Sequence, residues 1–461
     1  MVCDFKGIIH MKFSAHRVLF LLLYIILSTD LNQLHAETLV IHNITLIDGT
    51  GSPPMSGISV KVEGGYFTKI TSQRIDTDPG TLNIDGNGKF LMPGIIDSHV
   101  HLPGGRTGPR NTVMTLNYDI GKPILQSYLF SGVTAIYDSG NNKEYILELR
   151  SQERAGSILA PRIYATLSLI APPNGHGCCA GGTVVSDYQS GLQKLDKILK
   201  LKPDLLKFTR EQRGMGLESR NIPLMEEDLL KKLIAHAHER GVRSTVHVSD
   251  PDLAIEALRS GADAFAHTVY LAPVSQQWIE TVVKAGVILS TTMSRIETNS
   301  NFLKNTIYQD TVEPDFLAEI MKSERFAVEG SQVPPLVRWL QSLRPIIMKN
   351  FKNLHDSGAI LALGTDKPLG PIAHHELELM VEAGIPALDA IKIGTLNSAR
   401  YIGVENTIGS IEVGKLADML LLNADPSIDI RNTLAINSVF KNGVLIDRAS
   451  LDVPVNRNFN N

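Results

Sequence analysis

From Glu37 onward, short apolar runs alternate with polar positions and are cut by turn residues. LVIHNITLID, ISVKVEGGYFTKI and TLNIDGNGKFLM read as half-buried strands, separated at Asp48-Gly49, Glu63-Gly64-Gly65 and Asp85-Gly86. The same texture returns after Gly409 in SIEVGKLADMLLLN and SVFKNGVLID, with a turn at Asn442-Gly443. Two strand-rich ends around a different middle predict one small β-sandwich domain assembled from residues 37–92 and 404–456.

Residues 93–403 alternate apolar strands with helical stretches such as Glu226–Arg240 and Asp252–Ser260. Strands are expected to end near His101, Asp138, Leu167, Phe208, His247, His267, Thr291 and Gly364. Eight strand–helix units predict an α/β fold of the (β/α)8 TIM-barrel type. Periodicity alone leaves a doubly wound sheet open. The segment Asn301–Ser342 is longer than a strand–helix loop needs and is expected to add helices over the barrel mouth.

The N-terminus has a different pattern. Lys12 and Arg17 precede the apolar run Val18–Leu27, and a polar stretch ends at Leu34-His35-Ala36. That is the layout of a cleavable signal peptide over residues 1–36, with Met11 as an alternative start. It predicts a secreted or periplasmic protein with no stable membrane insertion after cleavage. The competing reading is a retained anchor, for which the run is short. A chain of 461 residues with 43% hydrophobic and 20% charged positions fits a soluble enzyme. A net charge of −4 offers no basic field for nucleic acid. A small-molecule substrate is expected, and a homo-oligomer is compatible with the chain.

Cys3 lies in the leader, and the adjacent pair Cys178-Cys179 would make a strained disulfide. No CxxC pair exists, so a metal would rest on His, carboxylate and modified Lys. Such residues recur at the expected strand ends. In PGIIDSHVH, His99 and His101 are two apart, so both imidazoles leave one face of the strand. In DLLKFTRE, Leu206 and Phe208 would face helices and Lys207 the barrel interior. A bare ammonium is costly there, whereas a CO2-derived carbamate is an anion able to bridge two cations. TVHVSD supplies His247, AFAHTVY supplies His267, and LALGTD supplies Asp366. Each has a plain structural reading alone: a solvated pair, an ion-paired lysine, a core histidine, a helix cap. Together they converge on the face where barrel active sites lie.

LMPGIIDSHVHL resembles the first-strand signature of the amidohydrolase superfamily. The set HxH, Lys, His, His, Asp resembles its binuclear, carbamylated-lysine branch. HELELMVEAGIPALDAIKIGTLNSARYIG and IGSIEVGKLADMLLLNADP are similar to imidazolonepropionase-like and Xaa-Pro dipeptidase-like members. The resemblance runs from about Thr38 to Asp447. It implies that His99, His101 and Asp366 bind one metal, that His247 and His267 bind a second, and that Lys207 bridges them. It further implies a metal-bridging hydroxide, with Asp366 as base and then acid toward the leaving nitrogen. Zinc suits these ligands best, with manganese, iron or cobalt as alternatives.

In the loop PPNGHGCCAGG, His176 resembles the family's loop histidine and would touch substrate or the tetrahedral oxyanion. An incidental histidine on a mobile loop is the competing reading, and Pro172-Pro173-Asn174 departs from the family's context. Tyr270, just past His267, is a further substrate contact. Cys178 and Cys179 are read as non-catalytic. His236 and His238 are read as helix packing or surface residues, and His374 and His375 as open to a substrate role. The expected reaction is hydrolysis of an amide in an Xaa-Pro-like dipeptide or N-acyl amino acid. The alternatives are a cyclic-amide hydrolase or deaminase, which Lys207 disfavours, and an inactive assembly module.

Overall fold

The computed structural model describes residues 38–104, 116–178, 182–213, 221–296 and 335–453. The expected leader and residues 301–334 of the long insertion lie outside the described residues. Residues 335–342 open the helix Pro335–Asp356.

Strands from both ends of the chain share one sheet of eight. Its spine is Thr38–Leu46, which pairs antiparallel with Met55–Glu63 and parallel with both Leu82–Asp85 and Phe90–Pro93. The Asp85-Gly86 turn therefore makes no hairpin, because both strands that flank it run parallel to the spine. Phe90–Pro93 pairs antiparallel with Met419–Leu422, which continues through Ile436–Lys441 to Val444–Leu445. The last hairpin turns at Asn442 (φ 53°) and Gly443 (φ 71°), a left-handed pair that matches strand twist. This sheet has its own apolar core, including Leu39, Ile41, Val60, Phe67, Leu421 and Phe440.

The middle of the chain is a parallel α/β unit. Ile95–Val100, Val133–Asp138 and Arg162–Ala165 form one ladder in that order. A second ladder runs Thr183–Val184, Ile170–Ala171, Leu206–Thr209, Ser244–His247, Ala264–Phe265, Ile288–Ser290 and Ile360–Ala362. The strand expected to end at Leu167 is thus split. Arg162–Ala165 pairs with the second strand, and Ile170–Ala171 pairs with the fourth at Phe208. Leu167, buried with φ 70°, makes the break, a conformation unfavourable for a residue with a Cβ.

Hydrogen bonds link the two ladders at two places. On one side, Asp204 N–H donates to Ala165 O at 3.0 Å and Lys207 N–H to Thr166 Oγ1 at 2.8 Å. On the other, Ser98 N–H donates to Leu363 O at 2.8 Å and Asp366 N–H to His99 O at 2.8 Å. Helices such as Lys143–Arg154 and Pro251–Arg259 follow strands, capped by the Asn142 and Asp250 side chains. The β-sheet and the α/β unit are joined by Gly94 N–H donating to Asp418 O at 2.9 Å. Arg162 grips Asp418 through Nε–Oδ2 at 2.8 Å and Nη2–Oδ1 at 3.2 Å. Among the described residues, no helix is long and apolar enough to cross a membrane.

Candidate metal centre

The first strand delivers His99 and His101 to one side, and each ring is oriented by a backbone carbonyl. His99 Nδ1–H donates to Ala266 O at 2.7 Å, and His101 Nδ1–H donates to Gly140 O at 2.6 Å. Both Nε2 atoms are thereby left as lone-pair donors. They face Asp366 Oδ1 at 3.9 and 3.6 Å. Ligand atoms of His99, His101 and Asp366 lie within 4.8 Å of one another, a grouping that fits a metal ion. The strand that carries Asp366 passes close to His99 because it has no side chain at Gly364. A Cβ there would meet Ser290 Oγ at 2.1 Å and His99 Cβ at 2.7 Å. Asp366 itself is left-handed (φ 51°), a conformation that Asp tolerates better than most residues.

A second pair stands opposite. His267 Nε2 and His247 Nδ1 lie 2.8 Å apart, so both point at one place. His267 Nδ1 is 2.9 Å from Thr292 Oγ1, and His247 Nε2 is 3.7 Å from Glu211 Oε2. Lys207 extends between the pairs, with Nζ 3.1 Å from His99 Nε2. His176 stacks on His247, with ring centroids 3.8 Å apart and planes at 14°. The six expected ligands and the loop histidine therefore gather at one set of strand ends.

The electrostatics suit metal binding. Burial, then the Lys207 charge, holds His99 well below the usual imidazole range. Burial likewise depresses His101, His247 and His267, and brings His176 down to about 4. Neutral imidazoles are what a cation needs. Burial lowers Lys207 to about 8, against the opposing pull of Asp366 and Asp138. Burial alone would raise Asp366, but Arg295 foremost, then His101, His267 and Lys207, hold it down to about 2. His99, His101 and Asp366 thus fit a divalent cation, with the neutral imidazoles of His247 and His267 and the amine of Lys207 close by.

Tyr270 lies against Ser249 and Glu211, within electrostatic reach of Arg295 and Asp366; burial raises its phenol. His236 and His238 sit on the helix Glu227–His238 and pair with Asp196 at 2.7 Å and Asp263 at 2.8 Å, away from the centre. His374 and His375 lie inside the helix Ile372–Glu382. His374 bonds Ser131 O and Thr433 Oγ1, each at 2.8 Å, so it faces the C-terminal segment and not a substrate. His375 lies 3.3 Å from Glu378.

Sequence reasoning missed the carboxylates that brace the ligands. Asp97 accepts from His99 N–H at 3.2 Å, Thr365 N–H at 3.0 Å and Thr365 Oγ1 at 2.7 Å. Burial still pushes its carboxyl up to about 8. Asp138 accepts from Leu102 N–H, Gly140 N–H and Asn141 Nδ2, which fixes the carbonyl that orients His101. Both were visible as acids in apolar strands, a costly placement that marks a partner. Arg295 had no such signal: its Nε lies 3.1 Å from Asp366 Oδ2 across a fold contact no spacing predicts.

The fold and these ligands define an α/β metalloenzyme with its centre at the C-terminal ends of parallel strands. Residues 90–446 match the amidohydrolase family, and the chain belongs to it. It is a metal-dependent hydrolase acting on carbon–nitrogen bonds. An imidazolonepropionase of Alkaliphilus metalliredigens is 22% identical over 393 residues, spanning 82% of this chain and 86% of that protein. A 5'-deoxyadenosine deaminase of Methanothermobacter thermautotrophicus is 23% identical over 395 residues, spanning 79% of this chain and 80% of that one. A Xaa-Pro dipeptidase solved with methionine in its active site shares the fold, with a TM-score of 0.71 at 24% identity over 89% of this chain and 99% of that one.

Proposed function

We propose that the enzyme hydrolyses the amide bond of a small Xaa-Pro-like dipeptide or an N-acyl amino acid, in a closed (β/α)8 barrel flanked by a β-sandwich. The observation that carries this is Lys207, whose Nζ stands 3.1 Å from His99 Nε2 between two imidazole pairs. A lysine there has a purpose as a carbamate bridge between two ions. His99, His101 and Asp366 would hold one ion, and His247 and His267 the other, with zinc the best match. Two such ions supply Lewis acidity that polarises a carbonyl and acidifies water.

The chain's own residues do the rest. Asp366 takes the proton of the attacking water and hands it to the leaving nitrogen, which departs protonated. His176, stacked over His247, donates to the carbonyl oxygen as charge develops on it. Tyr270, which lies near Glu211 and Asp366, would be a further contact to the substrate. The likeness to an imidazolonepropionase supports a second reading, a cyclic amide, on the same residues.

Elemental analysis and a substrate panel test this together. Two metals per chain and turnover of dipeptides or N-acyl amino acids are expected. Turnover of cyclic imides or lactones alone would select the second reading, and one metal per chain would remove the bridge. We also propose export and cleavage after Ala36, motivated by Lys12, Arg17 and the run Val18–Leu27. An intact N-terminus in the cytosol, read by mass spectrometry, would count against export.

A further inference from the structure

Three of the four candidate imidazole ligands are set the same way. His99 and His101 donate from Nδ1 to backbone carbonyls at 2.7 and 2.6 Å, and His267 Nδ1 lies 2.9 Å from Thr292 Oγ1. In each, Nε2 is the atom turned to the centre. His247 is reversed. Its Nδ1 lies 2.8 Å from His267 Nε2, so Nδ1 is its inner atom and Nε2 its outer one. A neutral imidazole carries one N–H. To offer a cation the Nδ1 lone pair, His247 must carry that hydrogen on Nε2, and the hydrogen needs an acceptor on the outer side.

Glu211 stands there. Among the described residues it is the acid beside that nitrogen, with Oε2 3.7 Å from Nε2. It follows the strand Leu206–Thr209 by two residues, and Thr209 is the register partner of His247 on the next strand. Arg210 N–H donates to His247 O at 2.9 Å and ties the two strand ends together. The carboxylate is 4% exposed and is aimed by two donors. Arg213 N–H reaches Oε1 at 3.0 Å, and Ser249 Oγ, two residues past His247, donates to Oε2. A carboxylate buried this far is costly, and among the described residues no lysine or arginine pairs with it. An imidazole N–H polarised by a bound ion is a donor that would repay that burial. A shift of about 0.5 Å brings Nε2 and Oε2 into hydrogen-bond range.

We infer that Glu211 is a positioning residue for the second metal: it keeps the His247 hydrogen on Nε2, turns Nδ1 to the ion and makes that ligand more basic. Retention of the second ion then depends on a side chain that touches neither ion. This rests on the two-metal reading above and adds an orienting partner to it.

The test follows zinc in the loaded protein by competition with a chromogenic chelator, so that it does not depend on turnover. His247→Gln identifies which of the two ions is the second. Glu211→Met removes the acceptor at similar size. The Kd of the second ion should rise about 10- to 100-fold, and that of the first should stay as in the wild type. Glu211→Gln keeps an acceptor oxygen and should recover part of the loss. Proton NMR at saturating zinc supplies a readout that a merely structural role would not move. The Nε2–H resonance of His247, assigned by its absence from His247→Gln, should move upfield in Glu211→Met, while the Nδ1–H resonances of His99 and His101 stay in place. Should Glu211→Met not fold, Glu211→Gln decides by the same two measurements. A second ion held as tightly as in the wild type, or an unmoved Nε2–H resonance, overturns the inference alone. A wild type that holds one ion overturns the two-metal reading, and this inference with it.

Discussion

Nζ of Lys207 lies 3.1 Å from Nε2 of His99, although the two residues are 108 positions apart and come from different ladders of the α/β unit. The contact exists because Lys207 alternates inward between buried Leu206 and Phe208, with its backbone N–H fixed by Thr166. Lys207→Ala should therefore bind one metal instead of two and lose most activity. Short carboxylic acids should restore part of both, by filling the gap with an external bridge. Elemental analysis with and without added acid checks this, and two tightly held metals in the mutant would remove the carbamate.

Asp366→Asn keeps the shape of the side chain but loses its capacity to take a proton. It should retain at least one metal and lose about 10²- to 10⁴-fold in kcat. A near-normal kcat, measured at matched metal content, would assign the proton transfer to another group.

His374 offers a pH-dependent test remote from the centre. Burial holds it at about 4 in the folded protein against 6.5 ordinarily, with Glu378 pulling up and Arg448 pushing down. The unfolded chain then binds the extra proton between these values, so stability falls as pH drops from about 6.5 toward 4. The loss from this residue should be about 2 kcal/mol between pH 7 and pH 5. His374→Gln should flatten that limb in urea unfolding. An unchanged acid limb would place the linkage elsewhere.

Asp418 is 3% exposed in its side chain and joins the β-sheet to the α/β unit through Arg162, which is 18% exposed. It also accepts from Asn442 N–H at 2.7 Å. Arg162→Met leaves this carboxylate buried without its cation. A loss of about 3 kcal/mol is expected, at the low end for such pairs because Arg162 keeps some solvent. Chemical denaturation measures it, and a loss below about 1 kcal/mol would mean that water replaces the guanidinium.

The gathering of the candidate ligands was legible in part because strand periodicity of two fixes which side chains share a face, as for His99 and His101 and for Lys207 between Leu206 and Phe208. His247, His267 and Asp366 were legible as polar residues at or just past the ends of apolar strands. Order along a parallel unit then brings the strand ends together. The split at Leu167 was not legible, since a buried leucine at positive φ contradicts its own local preference and is imposed by the packing around it. Nor was the inward turn of His374, because a histidine on a helix face gives no sign of which neighbour it meets. Arg295 sits on the short helix Met293–Ile296, where Ser294 N–H donates to Glu376, a contact across 82 residues that leaves no periodic mark.

Phe90–Pro93 sits between Thr38–Leu46 and Met419–Leu422, and the first ligand strand begins two residues later at Ile95. During synthesis, every candidate ligand through Asp366 is made before the strand that completes this seam. A chain halted near residue 400 would carry all the donors and lack the edge that holds Leu91, Met92 and Gly94 in register. The C-terminal strands thus act as the closing stitch of a site to which they contribute no ligand, and a loss of metal retention would report damage to the far end of the chain.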